Sequence, residues 1–315
     1  MTDIPDATGP DWTRRRWLAG LTLLGLGTVG AADPRRTAAG GAEEAIRLRA
    51  RKAGLKEVRT SETDHYLGIG DAPDAFRKEA LRVCEGLATS YQNHFQAQGF
   101  VANLPAAKMA VVTLASRTSY EAFKGERVGE AEGGHYDIAA NRLVVFDFRG
   151  ATARAAGAAD PRRMNTFTLV HEAVHQLTFT TGLLARDGDV PKAVSEGFAA
   201  YGETWRLAKP SIGKEHPLRI DVLKDPGAGE WLPVDRLLTA DALFDDPETE
   251  QLAYAESWLL LFHLLRNKTR AKTLRFYLDS LRPRHDATHR LADAGKAFGN
   301  LVRLDSDLKK AANRL

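Results

Sequence analysis

The chain has 315 residues, of which 43% are hydrophobic and 27% charged, and its formal net charge is +3. That balance supplies enough apolar residues for a core and excludes a largely disordered or collagen-like chain. The basic residues are scattered rather than gathered into a stripe that could follow a phosphate backbone, so no nucleic-acid partner is expected.

Residues 13–32 read TRRRWLAGLTLLGLGTVGAA. A basic cluster, an apolar run and closing small residues follow one another in the order of a secretory signal. The paired arginines before Trp17 and Leu18 resemble a twin-arginine export signal. The apolar run falls short of the roughly 20 residues that a spanning helix needs. The expectation is a signal peptide over 1–32, cleaved after Ala31 or Ala32. The exported protein would then work in the periplasm or outside the cell, with no stable membrane span. If uncleaved, the same segment would serve as an N-terminal anchor.

Residues 33–60 read as a linker or loosely ordered segment with a short helix at 43–53. The main domain is expected from 61 to 315. HYLGIG (65–70) is a strand, 73–98 a long helix with apolar residues at helical spacing, and MAVVTLAS (109–116) a near-continuous apolar strand. Cys84, the only cysteine, excludes an intrachain disulfide, and its apolar setting suits a buried side chain rather than a reactive thiol. A short helix follows at 118–125, then HYDIA (135–139) and NRLVVFDF (141–148) form a hairpin. Residues 151–160 are a small-residue loop. Beyond it the pattern is helical at 164–180, 191–207, 248–266, 270–281, 287–297 and 299–314. Strands first and helices later predict an α+β fold: a small N-terminal mixed sheet with helices over 61–180, and a helical part over 181–315.

The helix 164–180 contains HEAVH at 171–175. Residues four apart share a helix face, so His171 and His175 can direct their imidazoles at one ion. Glu172 is rotated about 100° from His171 and can reach water at that ion instead of binding it. Zinc accepts three protein ligands with a fourth position open, and a neighbouring carboxylate can then act as general base. Glu196, in PKAVSEGFAAYGETW, lies 21 positions after His175 on the next helix. The intervening loop carries Gly182, Gly188 and Pro191, which let the chain reverse. Glu196 would then face the histidine pair as third ligand, with Gly197 and Ala199–Ala200 permitting close approach of the two helices. The other histidines have no partner at ligand spacing, and His285 and His289, four apart in a polar segment, suit a solvated helix start.

HEAVHQL followed by VSEGFAAYGE resembles the gluzincins, the peptidase MA-like metallopeptidases. More narrowly it is similar to an uncharacterised family of exported bacterial domains in that group, over roughly residues 60–312. The resemblance implies a zincin-like fold with the active-site helix between sheet and helical part. It also implies a Zn2+ cofactor held by His171, His175 and Glu196, Glu172 as general base, and a peptide or protein substrate. Many gluzincins carry an aspartate four positions after the ligand glutamate, where it orients the first histidine. Here that position is Ala200, so the partner of His171 either comes from elsewhere, with Glu203 as a candidate substitute, or is absent. An oxyanion stabiliser from a later helix is also implied; Tyr254 is the candidate, with Tyr201 and His263 behind it. The strand pair at 135–148 would offer an edge to an extended peptide, bringing His135 and Tyr136 near the cleft. Two alternatives stay open: a catalytically inactive binding or scaffold domain that keeps the zinc site, and a zinc hydrolase of a non-peptide amide. Intact Glu172 argues against the first, and Ala200 argues for it.

Overall fold

The computed structural model describes residues 34–129, 132–147 and 161–315, all within one compact unit, Pro34–Leu315. The expected leader and the loop expected at 151–160 lie outside the described residues. The fold is mixed, with a five-stranded sheet in the N-terminal half and a helical C-terminal part, as the order of elements predicted. No helix among the described residues is long and apolar enough to cross a membrane.

The strands are β1 (Arg59–Glu62), β2 (Tyr66–Gly70), β3 (Met109–Leu114), β4 (Gly134–Asp137) and β5 (Arg142–Phe146), in the order β1-β2-β3-β5-β4. The β2–β3 and β3–β5 pairs are parallel and the two outer pairs antiparallel. The three central strands are buried along their whole length, which is why they read as continuous apolar runs. Alternation divides their side chains between two cores. Tyr66, Met109, Val111, Leu143 and Val145 face α2 (Asp74–Ala97) and α4 (Pro161–Thr180). Leu67, Ile69, Val112, Leu114, Val144 and Phe146 face α1 (Pro34–Lys52) and α3 (Arg117–Lys124). Cys84 is fully buried in the first core, and burial raises its thiol pKa.

Some boundaries differ from expectation. The segment read as a linker carries α1, whose Ile46 and Ala50, four apart, are buried against the sheet, so it packs as part of the compact unit. Strand β1 was not expected; its residues RTSE are polar and mostly exposed on a sheet edge, so no apolar alternation marks it. The helix expected over 191–207 ends earlier, as α5 (Lys192–Gly202). Beyond it the chain turns to bury Trp205, whose amide donates to the Gly202 carbonyl at 2.9 Å. Helices α6 (Pro217–Lys224) and α7 (Val234–Thr239) fall in a stretch where no helix was expected: both are short, and α6 buries no residue fully.

The remaining helices are α8 (Glu250–Leu265), α9 (Lys268–Leu281), α10 (Arg290–Phe298) and α11 (Leu301–Ala312). Helix α8 is apolar on nearly every face and packs against α5, α6 and α9, the setting that an all-round apolar helix requires. Gly197 permits a close helix contact, but with α8 rather than α4. A Cβ there would stand 2.6 Å from Leu261 Cδ2 and 2.8 Å from the Ser257 carbonyl oxygen. Gly202 is the glycine that faces α4, where a Cβ would meet Val174 at 2.4 Å.

Candidate metal centre

Helix α4 turns one side inward. Leu169, Val170, Ala173, Val174 and Leu177 are buried in the core, and the Gln176 amide donates to the Ala110 carbonyl of β3 at 3.0 Å. The helix is thereby pinned to the sheet, and His171, Glu172 and His175 are left facing a cleft. Helix α5 packs beside α4. The Lys192 amide in its first turn donates to Asp241 Oδ1 at 2.8 Å, satisfying one of the amides that a helix start leaves open.

This packing brings three side chains together. His171 Nε2 and His175 Nε2 are 3.2 Å apart, and Glu196 Oε2 lies 3.2 Å from the first and 3.4 Å from the second. Glu196 Oε2 is buried, yet aligned with neither nitrogen for a hydrogen bond. These three form the one group among the described residues whose acidic or histidine atoms converge as metal ligands would. A tetrahedral ion with bonds of about 2.0–2.2 Å sets neighbouring ligand atoms about 3.3–3.6 Å apart. The observed triangle has that size, and its nitrogen–oxygen composition suits zinc. The residues fit the ion that the resemblance implies.

The charges around the triangle call for a cation. Burial disfavours a charged His171, but Glu196 and Glu203 on either side of its ring outweigh burial and raise its pKa well above the usual value. Burial likewise opposes the Glu196 carboxylate, and the two histidines overcome it and hold its pKa low.

Glu203 stands at the end of α5 with its side chain fully buried. Its Oε1 accepts from His171 Nδ1 at 2.7 Å, leaving Nε2 of that ring to face the triangle. Its Oε2 accepts from His216 Nε2 at 2.7 Å, and the Arg219 Nη2 donates to both oxygens at 2.9 and 3.2 Å. Burial works against this carboxylate, but His171, His216 and Arg219 lower its pKa well below the usual range. The orienting role that Ala200 cannot supply is thus within reach of Glu203. His216 and Arg219 were not singled out in the sequence. They lie 13 and 16 residues beyond Glu203 across a loop, and no periodicity links them to it.

Residues 165–286 are a DUF1570 domain. The matching family is described as "Protein of unknown function (DUF1570)". No curated protein matches the chain. The DUF1570 segment runs from within α4 to just beyond α9 and holds the whole triangle, Glu172, the Glu203 network and Tyr254. Strand β4, which borders the same cleft, lies outside it.

Glu172 borders both cavities that open beside the triangle, and no ion pair engages it among the described residues. Tyr254, in the first turns of α8, borders both as well; its ring centre is 6.5 Å from that of His171. The Arg219 guanidinium lies over the Tyr254 ring at 5.2 Å and Phe244 packs edge-on at 5.3 Å. Burial, with Glu196 nearby, raises the Tyr254 pKa, so its phenol keeps the proton it could donate. The two other residues considered for that role face elsewhere. Tyr201 shares a hydrogen bond with His94 Nε2 at 3.1 Å, and His263 accepts from Arg270 Nη1 at 2.6 Å near the far end of α8. His135 and Tyr136 do border the cleft. His285 and His289 are exposed and stand apart from it.

Proposed function

We propose that the chain is an exported zinc-dependent metallopeptidase of the gluzincin type. The convergence of His171 Nε2, His175 Nε2 and Glu196 Oε2 within 3.2–3.4 Å of one another carries this reading. These three residues would hold the ion. Zinc so held supplies a Lewis acid that acidifies water and polarises a substrate carbonyl.

The other roles fall to the chain's own side chains. Glu172, which borders the cleft, takes a proton from the attacking water and later delivers it to the departing amine. The peptide C–N bond breaks, the water oxygen stays on the carbonyl carbon, and the two water protons end on the products, with no change of oxidation state. The Tyr254 phenol donates to the carbonyl oxygen as charge builds on it. Glu203 keeps the His171 ring turned with Nε2 toward the metal position. The leader at 1–32 would deliver the protein outside the cytoplasm.

The test pairs zinc analysis with peptide cleavage for the wild type and Glu172→Gln. The expected result is one zinc per chain in both, with cleavage reduced by about 10²–10⁴-fold in the variant, the range for a lost general base. Wild type and variant that both hold zinc and are equally inert on a broad peptide library would leave the scaffold reading in its place.

A further inference from the structure

The cleft has two lobes, and the candidate catalytic groups stand at their junction. One lobe has a cavity volume of about 680 Å³ and runs toward α6; the other, of about 450 Å³, runs along the sheet edge. His171, Glu172 and Tyr254 border both. A single stretch of chain joins them. Glu132, Gly133 and Gly134 line the first lobe, and His135, Tyr136 and Ile138 line the second. Among the described residues its strand, β4, is the outermost of the sheet and pairs only with β5. An extended segment of about seven residues spans roughly 23 Å. A peptide laid beside this stretch passes Glu172 near its middle and continues past it in both directions.

A peptidase that trims chain ends needs a charge reserved for the terminal carboxylate or amine. Among the described residues, the charged side chains that line the two lobes beside the candidate catalytic groups are otherwise engaged or, at the rim, exposed. Arg219 is bound to Glu203, and Lys192 donates to Asp245 at 2.6 Å. Asp241 is held by Arg290 at 2.8 Å, and Glu132 accepts from Lys124 at 2.7 Å. Asp221, at the rim of the α6 lobe, is exposed to water, where a lone charge is screened.

The sheet-edge lobe also has an apolar wall. Tyr136 and Phe179 stack at 5.8 Å, Val190 adjoins them, and Ile138 is 39% exposed there. Exposed apolar side chains set in a concave wall mark a place where apolar surface is received.

We propose that the cleft takes the interior of an extended polypeptide and cleaves it within the chain, seating a bulky apolar side chain in the sheet-edge lobe. This rests on the hydrolytic reading above. The chemistry is the same hydrolysis of one C–N bond by one water, performed at a bond remote from either terminus.

The test uses the zinc-loaded full chain and a peptide library prepared twice, once with free ends and once acetylated and amidated. Products are identified by mass spectrometry. The blocked peptides should be cut internally at rates within about twofold of the free ones, beside bulky apolar residues, and not by Glu172→Gln. Ile138→Asp, at a half-exposed site, should slow cleavage beside those residues by at least about tenfold, as for a lost apolar pocket contact. Trimming of one or two residues from free-ended peptides alone overturns the inference and leaves the hydrolase standing. An unchanged cleavage pattern in Ile138→Asp overturns the apolar seat. If neither library is cut by zinc-loaded wild type, the hydrolytic reading fails, and this inference with it.

Discussion

Glu203 offers the sharpest test of how the centre is held. It accepts from His171, His216 and Arg219 at 2.7, 2.7 and 2.9 Å with its side chain wholly buried. Removing the carboxylate with Glu203→Ala strands the buried His216, which caps α6, and the partly buried Arg219, and frees the His171 ring. Breaking a buried ion pair from one side costs about 3–5 kcal/mol of stability. Loss of the group behind a metal-binding histidine lowers metal affinity about 10–100-fold, or about 1.4–2.7 kcal/mol. The two effects separate in Glu203→Gln. The amide keeps an oxygen for His171 Nδ1 but turns an NH2 toward His216 and Arg219, so affinity should fall by about tenfold while the fold survives. The assay is zinc competition against a chromogenic chelator, at a temperature where circular dichroism shows each variant folded. The expected order of affinity is wild type, then Gln, then Ala. Zinc binding within twofold of wild type by both folded variants would refute the claim that Glu203 orients His171.

The remaining predictions concern catalysis, pH and packing. Tyr254→Phe should lower kcat by about 10²–10³-fold with zinc content unchanged, the loss expected of one oxyanion donor; an unchanged kcat removes Tyr254 from the mechanism. Glu256 is buried and accepts from the Leu232 amide at 2.8 Å, and desolvation raises its pKa from 4.5 to about 9. Because the folded value is the raised one, its contribution is fully present below about pH 4.5 and is lost as pH climbs toward 9. At about 1.4 kcal/mol per pH unit, Glu256→Gln should gain up to about 4 kcal/mol on wild type between about pH 5 and 8. Urea unfolding at the two pH values checks this, and a constant difference counts against it. Gly197→Ala should lower the urea midpoint by the equivalent of about 1–3 kcal/mol, because its new methyl group meets the Ser257 carbonyl oxygen of α8; an unchanged midpoint would show that the two helices can part freely.

What could be read from the sequence follows from how local each signal is. His171 and His175 are one helical turn apart, so their shared direction is a property of the helix itself. The central strands are covered on both faces, so MAVVTL and RLVVF stand out as apolar runs. Strand β1 has neither property: its polar residues RTSE hold the sheet edge through backbone pairing with β2, which any side chain allows. Helix α6 was missed for a related reason. Its apolar residues Ile220, Val222 and Leu223 are only partly buried against the core, and its hydrogen-bonded ties to Glu203 run through His216 and Arg219 across a loop.

The departure of Ala200 from the pattern that the gluzincin resemblance implies can be followed in the same helical geometry. Position 200 lies one turn beyond Glu196, about 6 Å along the axis, and Glu203 lies nearly two turns beyond, about 10.5 Å. Seven residues bring the chain back to within about 20° of its starting direction, so Glu196 and Glu203 share a face of α5. The His171 ring fits between them, with Nε2 3.2 Å from one carboxylate and Nδ1 2.7 Å from the other. A carboxylate one turn further along serves here because Glu is longer than Asp by a methylene and can reach back. Its second oxygen is then left pointing away from the ring, and that oxygen is the one His216 binds. On that reading, a carboxylate at 203 is compatible with a small residue at 200 and reaches the donors of the α6 region. It also makes the His216–Arg219 pair and Glu203 a single unit, so introducing an aspartate with Ala200→Asp, at a fully buried position, should crowd the site rather than tighten it.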